Sequence, residues 1–488
     1  MFEWVEIDEP PVDTYHNSLQ GPDSPHAARP TLMRMEPSLG NASLGGLEAD
    51  EPQPWALPEP EPTNLIALWP QERPPTPREL LEALAAGLDR EPKLLQEPNR
   101  DHRLHSEVEW SAAVEVPTLP HPVVFWAEPA RALAPGELDD PRAEACRWVI
   151  GAETLLDFDD PLASYAHLVD LLAGAFPAVP AILDVNTTRW HRRAELDRIF
   201  GADGSSEPIE PPTDVLWMIH VVESRRPRDA SEGVAWIHTH GLWRCGRPEL
   251  EMLGVPADDV AAASHLVNGI AELLLEQALP PPGAPLEIGH GLHVTFRPWQ
   301  EVVAGLDPDL PGSGSDRGEA PDNAHGGVRA VVCAAGSDEA GLWPRSIVKQ
   351  LGEHHAIIYR TTRSTERQSR LARDTWPDLA HAFSSAPAGD RRRGWSFFLK
   401  AGFREDDGET APREHLWFEL CRIEPERAEA RLLNRPHTVG RLTRGDLIWL
   451  DREVISDWQV RTPSDGFGPD DVAALSRAVD QSPKEHPS

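Results

Sequence analysis

The sequence predicts an α+β protein of several units: a mixed sheet-and-helix middle region, then a small C-terminal α+β module with an antiparallel sheet, all preceded by a disordered N-terminal arm. Three observations predict it. The chain has 488 residues, more than one core ordinarily organises. Apolar residues make up 40% of it and recur at both helical and alternating spacing, so real cores can form. Much of the excess among the 50 prolines falls in the first 62 residues, where no periodicity is visible.

Taken in order, residues 1–62 are rich in Pro, Glu, Ser and Gly, and PEPEPTN at 58–64 reads as a solvated linker. Trp4, Trp55 or Trp69 can anchor parts of this arm on a folded surface. An α+β domain spans 63–305, with room for a small subdomain at 63–118. Thr76-Pro77-Arg78-Glu79 has the form of a capping box and opens a helix striped by Leu80, Leu81, Leu84 and Leu88. VEWSAAVEV and PVVFWAE, between 106 and 127, and ACRWVIGAETLL read as strands. Asp160-Pro161 opens a helix carrying Leu162, Tyr165, Leu168, Val169 and Leu172. AILDVN (181–186) and VAWIHTHGL (234–242) are strands, and VLWMIHVVES (215–224) reads as a buried one. Pro256, Asp258 and Asp259 start a long helix that Pro281, Pro282 and Gly283 stop. GHGLHVTFRPW alternates as a half-buried strand. The strict βαβ rhythm of a doubly wound sheet is missing.

Residues 306–328 read as a Gly/Pro-rich linker, and 329–364 as strands (VRAVVCAA, HAIIYRTT) bridging two domains. A helix from about Ser364 pauses at Pro377 and ends near Phe383. The C-terminal module spans 365–461. Trp395, Phe397 and Leu399 alternate with Ser396, Phe398 and Lys400. EHLWFELCRIE and RAEARLLN pair as a hairpin across Pro425 and Glu426. Thr443-Arg444-Gly445-Asp446 is a turn before LIWLD, and ISDWQV closes the unit. The tail, 462–488, holds a short helix.

Phe398, Lys400 and Phe403, Glu414-His415-Leu416-Trp417, Asn434 and Pro436, Gly445-Asp446 and Asp457-Trp458 follow one another in an order that resembles the YegJ-like bacterial family, over roughly 365–460. That family has no established activity, so the resemblance implies an order of elements and no mechanism. WIHTHGLWRCGRPELEMLGV (236–255) more loosely resembles a second uncharacterised bacterial family found joined to YegJ-like modules. Within the signature, Glu414, His415, Trp417, Asp457 and Trp458 are the candidate binding residues. Each also has a plainer role: core aromatic for the tryptophans, backbone cap for Asp457.

The 80 acidic residues against 46 basic ones give a formal charge of −34. That field repels phosphate backbones and anionic membranes; it reads as a solvated acidic surface that favours solubility, or as one that speeds encounters with a basic partner. Neither nucleic acid nor membrane is an expected partner. Cys146, Cys245, Cys333 and Cys421 are far apart, without CxxC spacing, and read as isolated thiols. MFEWVEIDEPPVD lacks the basic and apolar regions of a signal peptide, so the expected location is cytoplasmic.

His238-Thr239-His240 is the sharpest chemical candidate. Two apart on a strand, both imidazoles point to one face and can share a metal, or else hydrogen-bond within a polar face or sheet edge. His220, Glu249, Glu251, His290 or His293 are the possible third ligands. Glu249 and Glu251 otherwise read as an acid/base pair or as the acidic flank of a short helix. A nucleophile elbow, a phosphate loop and an HExxH helix are missing from the sequence. The leading expectation is therefore a non-enzymatic, protein-binding or accessory protein with no cofactor, in one version an immunity-type protein capping a basic toxin. The alternative is a metal-dependent hydrolase built on His238 and His240.

Overall fold

The structure, a computed structural model, describes residues 55, 61–88, 90–95, 108–134, 136–138, 140–200, 211–224, 233–289, 291–317, 327–335, 343–352, 362–385, 394–404, 413–436 and 439–481. Most of the expected N-terminal arm, His290 and the HAIIYRTT strand except Thr362, which opens a helix, lie outside these. The protein is α+β with three mostly antiparallel sheets. The described chain divides into a larger unit up to residue 352 and a C-terminal unit from 362 onward.

The larger unit opens with a seven-stranded sheet. Its strands are β1 (Thr63–Trp69), β2 (Lys93–Leu94), β3 (Trp110–Glu115), β4 (Val123–Pro129), β5 (Trp148–Thr154), β6 (Ala181–Asp184) and β7 (Arg189–Arg192), in the order β2-β3-β4-β5-β1-β6-β7. β1 sits between β5 and β6, so residues 63–118 do not stand apart as a subdomain. Helices α1 (Pro77–Ala86) and α3 (Pro161–Ala175) supply core leucines, with the short α2 (Pro141–Glu144) between them and α4 (Arg193–Phe200) following β7. The capping box forms: Glu79 N–H donates to Thr76 Oγ1 (3.3 Å), and Thr76 N–H donates to Glu79 Oε2 (2.8 Å). Asp160 caps α3 by accepting from Ala163 N–H (3.0 Å). Trp55 is buried and its indole donates to the Pro280 carbonyl (2.9 Å), so one tryptophan of the arm is anchored.

The second sheet holds β8 (Met218–Glu223), β9 (Val234–His240), β10 (Glu249–Pro256), β11 (Leu286–Gly289), β12 (Leu292–Pro298) and β13 (Arg329–Ala334) in the order β11-β12-β13-β10-β9-β8. One parallel pairing, β10 with β13, interrupts an otherwise antiparallel sheet. α5 (Val260–Glu276) packs Leu266, Val267, Ile270 and Leu274 on one face, in a core continuous with that of the first sheet. The opposite face carries Trp236, Leu253, Val331 and Cys333 and meets α6 (Trp299–Val303). α7 (Arg345–Gly352) ends the described part of the unit.

Four expectations change here. The segment 329–334 is an interior strand of the second sheet and not a bridge between domains, because its apolar run is buried between β10 and β12. VLWMIHVVES is not a buried strand: a 3-10 turn takes Thr213–Leu216, and β8 is an edge strand, half exposed. Glu249 and Glu251 lie on a buried strand, not on a helix flank, because a turn at Trp243–Gly246 folds the chain back against β9. Residues 306–317 are not a solvated linker. Gly312 lies against Trp236 and Leu253, and Arg317 is buried beneath them.

The C-terminal unit holds α8 (Thr362–Asp374), α9 (Trp376–Ser385), β14 (Ser396–Arg404), β15 (Arg413–Ile423), β16 (Arg427–Leu432), β17 (Leu447–Asp451), β18 (Ile455–Arg461), β19 (Gly466–Phe467) and α10 (Val472–Gln481). The sheet order is β17-β16-β15-β14-β18-β19, antiparallel throughout. The β15–β16 hairpin turns across Pro425 and Glu426, where Glu424 N–H donates to the Arg427 carbonyl (2.8 Å). The helical break falls at Thr375, and Pro377 sits inside the first turn of α9, where its missing N–H costs nothing. The core joins Trp376, Leu379, Phe397, Leu399, Phe418 and Trp458 with Leu475 of α10, so the expected tail helix belongs to the module.

Candidate metal centre

Alternation along β9 sends Ile237 into the core under α5 and Trp236, His238 and His240 to the other face. The edge strand β8 lies beside them in a fixed register. His220 is opposite His238, and Met218 is opposite His240. The result is three imidazoles on one face of two paired strands. His238 Nε2 and His240 Nε2 are 3.0 Å apart, and the candidate ligand nitrogens of His220, His238 and His240 all lie within 4.8 Å of one another. Tetrahedral zinc with bonds of about 2.0–2.1 Å places its nitrogen ligands roughly 3.3 Å apart, so the pair on β9 is already near that spacing. His238 is buried, His240 half-buried and His220 exposed, so the cluster leads from the interior to solvent. Packing among its neighbours pushes the His220 imidazole below its ordinary pKa although its outer edge meets water, which favours the neutral, metal-ligating form.

The shell around these rings is tightly tied. His238 stacks on Trp236 with centroids 4.0 Å apart. The Trp236 indole donates to Glu251 Oε2 (3.1 Å), and Arg317 donates to the same oxygen (2.8 Å) from a fully buried position. Arg317 in turn lies over the rings of Trp236 and Trp299. Glu249 closes the turn after His240. It accepts from Thr239 Oγ1 (2.6 Å), Gly241 N–H (2.8 Å) and Trp243 N–H (3.2 Å). Gly241 has φ +114°, and a Cβ there would collide with the Leu216 carbonyl oxygen, so the turn requires glycine.

Of the possible third ligands, the fold brings His220 to the pair. Glu249 and Glu251 are engaged as described. His293 lies on β12, with β13 and β10 between it and β9. Cys245 is buried on the turn, where burial pushes its thiol up to about 12. The two-residue spacing of the β9 pair is visible in the sequence. The supporting Trp236, Arg317 and Met218 are not, because their roles depend on strand register and on a segment that reads as a linker.

In the C-terminal unit the register puts Trp417 and Asp457 on either side of Lys400, on the face that His415 shares, and Trp458 on the opposite face. Glu414 accepts from Val439 N–H (3.1 Å), and His415 Nδ1 meets Ser456 Oγ at 2.7 Å. Burial foremost, then Lys400 and Arg413, pushes His415 down to about 4. Trp417 is half-buried with Lys400 over its ring, on the face opposite to Leu399 and Trp458. Asp457 accepts from Gln368 Nε2 (2.9 Å) and Trp458 N–H (2.7 Å). Trp458 is a core residue, its indole donating to Thr375 Oγ1 (3.0 Å), and offers no surface to a ligand.

Comparison with known proteins finds two families. Residues 219–333 match a model described as protein of unknown function (DUF4026) C-terminal, and residues 379–486 match one described as uncharacterized protein conserved in bacteria (DUF2314). The first match holds all of β9 and His220. No curated protein and no solved structure matches. Among the described residues, no helix is long and apolar enough to cross a membrane.

Proposed function

We propose that this chain binds one transition-metal ion through His220, His238 and His240. The observation that carries the reading is the convergence of three imidazoles from two paired strands, with ring nitrogens within 4.8 Å. Neutral imidazole is a good ligand for zinc, copper and nickel, and three of them leave one position for water or a fourth protein atom. Water there is what the hydrolytic use of the HTH motif requires. Purified full-length protein, stripped and then titrated with Zn(II), Ni(II) and copper, is expected to take up one ion per chain. His240→Ala is expected to weaken uptake by at least about 100-fold, the loss of one of three ligands. Calorimetry showing no heat for any of these ions would remove the reading.

A second reading, protein binding, is supported by the open sheet face of the C-terminal unit. Leu447 and Trp449 on the edge strand β17 are 47% and 39% exposed, and Arg427 and Arg422 lie over the Trp449 ring. Exposed aromatic and arginine side chains together are typical of interface anchors. A partner that co-purifies in stoichiometric amount with the wild type and is lost from Trp449→Glu would support it. Unaltered retention by that variant would count against it.

A further inference from the structure

A fourth side chain shares the sheet face with the three imidazoles. The β8–β9 register sets His220 against His238 and Met218 against His240. Residues two apart on a strand share a face, and directly opposed residues hold their Cβ atoms about 4.5–5.5 Å apart. Met218, His220, His238 and His240 are thus the four corners of one quadrilateral on one sheet face. Resting on the metal-binding reading above, we infer that Met218 is the fourth ligand and that the ion the centre selects is copper(I).

Donor chemistry and charge both point this way. A thioether is a soft donor that adds little to a zinc site and favours Cu(I), while imidazole serves both metals. The set of three imidazoles and one thioether carries no negative charge. The nearest carboxylates do not supply any: Glu251 is paired with buried Arg317, and Arg329, also buried, interacts with both Glu249 and Glu251. Desolvating an ion costs more as the square of its charge, so a neutral, half-buried ligand set holds a monovalent cation at lower cost than a divalent one. Met218 as a residue is half-buried, and its sulfur accepts from Thr188 Oγ1 (3.6 Å) on the exposed side. That contact uses one sulfur lone pair and leaves the second for a metal. Thr188 stands in the turn between β6 and β7, where it adopts φ +54°, a conformation non-glycine residues rarely take.

The test uses full-length protein under anaerobic conditions. Cu(I) affinity is read by competition with bicinchoninate, and Zn(II) affinity by competition with a zinc-binding dye, for the wild type, Met218→Leu and His240→Ala. Met218→Leu preserves side-chain volume, and its metal-free melting temperature is expected to match the wild type. It is expected to weaken Cu(I) by at least about tenfold while changing Zn(II) by less than about twofold, since only the soft ion loses a preferred donor. His240→Ala is expected to weaken both. An X-ray absorption spectrum of the Cu(I) form is expected to show a sulfur neighbour that Met218→Leu removes. Equal loss of both metals in Met218→Leu, or no loss of either, would overturn the assignment of Met218 while leaving the three-histidine centre standing. Failure of the wild type to bind either metal would remove both.

Discussion

Arg244 is fully buried, and its guanidinium is engaged throughout with polar and aromatic partners. It donates to both oxygens of Asp184 (3.0 and 2.7 Å) and to the carbonyls of Val215 and Leu216, and its guanidinium lies over the Tyr165 ring. Tyr165 donates to Asp184 (2.9 Å) and meets His191 at 2.8 Å, and His191 reaches Glu195 at 3.2 Å. Burial pushes the Asp184 carboxyl up, but the Arg244 guanidinium outweighs it and holds Asp184 below the usual carboxylate range. One side chain from the turn after β9 therefore ties the second sheet to the end of β6 in the first. Arg244→Ala leaves a buried carboxylate without its counter-charge, and a loss of about 3–5 kcal/mol of unfolding free energy in denaturant titration is expected. The paired change Arg244→Met with Asp184→Asn should cost clearly less. Equal losses would show that the ion pair is not what Arg244 contributes. None of this was legible locally. Asp184 and Arg244 are 60 residues apart in the sequence, and nothing near either one names its partner. The HTH pair was legible because strand periodicity alone sets two side chains on one face. His220 could be proposed but not chosen, since register decides it.

At the scale of elements, β14, β15 and β18 meet at a point where the side-chain pattern is interrupted. The β14–β18 register shifts between Lys400 and Ala401, and Gly402 is opposite His415. The His415 ring fills the space beside Gly402 and reaches Ser456, whose hydroxyl also donates to the Lys400 carbonyl (3.3 Å). A histidine held to about 4 in the fold, against 6.5 when free, resists protonation only while folded. The unfolded chain then binds the extra proton, so this contribution to stability is whole above pH 6.5 and is lost as the pH falls toward 4. The melting temperature of the C-terminal unit is expected to fall across that window. His415→Gln, which cannot charge, is expected to flatten the decline. An identical pH profile in the variant would assign the decline to other groups. β16 was readable because Arg427, Glu429 and Arg431 alternate with Ala428, Ala430 and Leu432, and the longer β14 and β15 because their apolar runs are bounded by turn residues. β2 and β19, two residues each, leave no such trace. The 306–317 segment misled for a related reason. Its composition is that of a linker, and only the buried Arg317 pairing shows that it covers a sheet.

At the scale of the molecule, charge and core divide at about the same point. Residues 1–361 contain 58 acidic and 26 basic side chains, and residues 362–488 contain 22 and 20. The acidity that suggested a basic partner thus belongs to the first 361 residues, and the C-terminal unit is nearly neutral. Its exposed Trp449 face would attract a partner by shape and aromatic contact more than by long-range steering. Among the described residues, the core of that unit is also self-contained. Its buried members run from Ala372 to Leu475, with α8, α9 and α10 sealing the sheet. A set of apolar residues that pack on one another as one core should fold without the rest of the chain. Residues 362–488 expressed alone are expected to unfold cooperatively in guanidinium. Their transition should coincide with one of two transitions in the full-length protein, and the larger unit should account for the other. Metal binding supplies an independent check on that assignment. An ion bound by His220, His238 and His240 stabilises only the unit that contains them, by RT ln(1 + [L]/Kd). Saturating metal should therefore move one transition of the full chain and leave the transition shared with the 362–488 fragment where it was. A shift of both, or a fragment that stays unfolded, would show that the two units depend on each other for their stability.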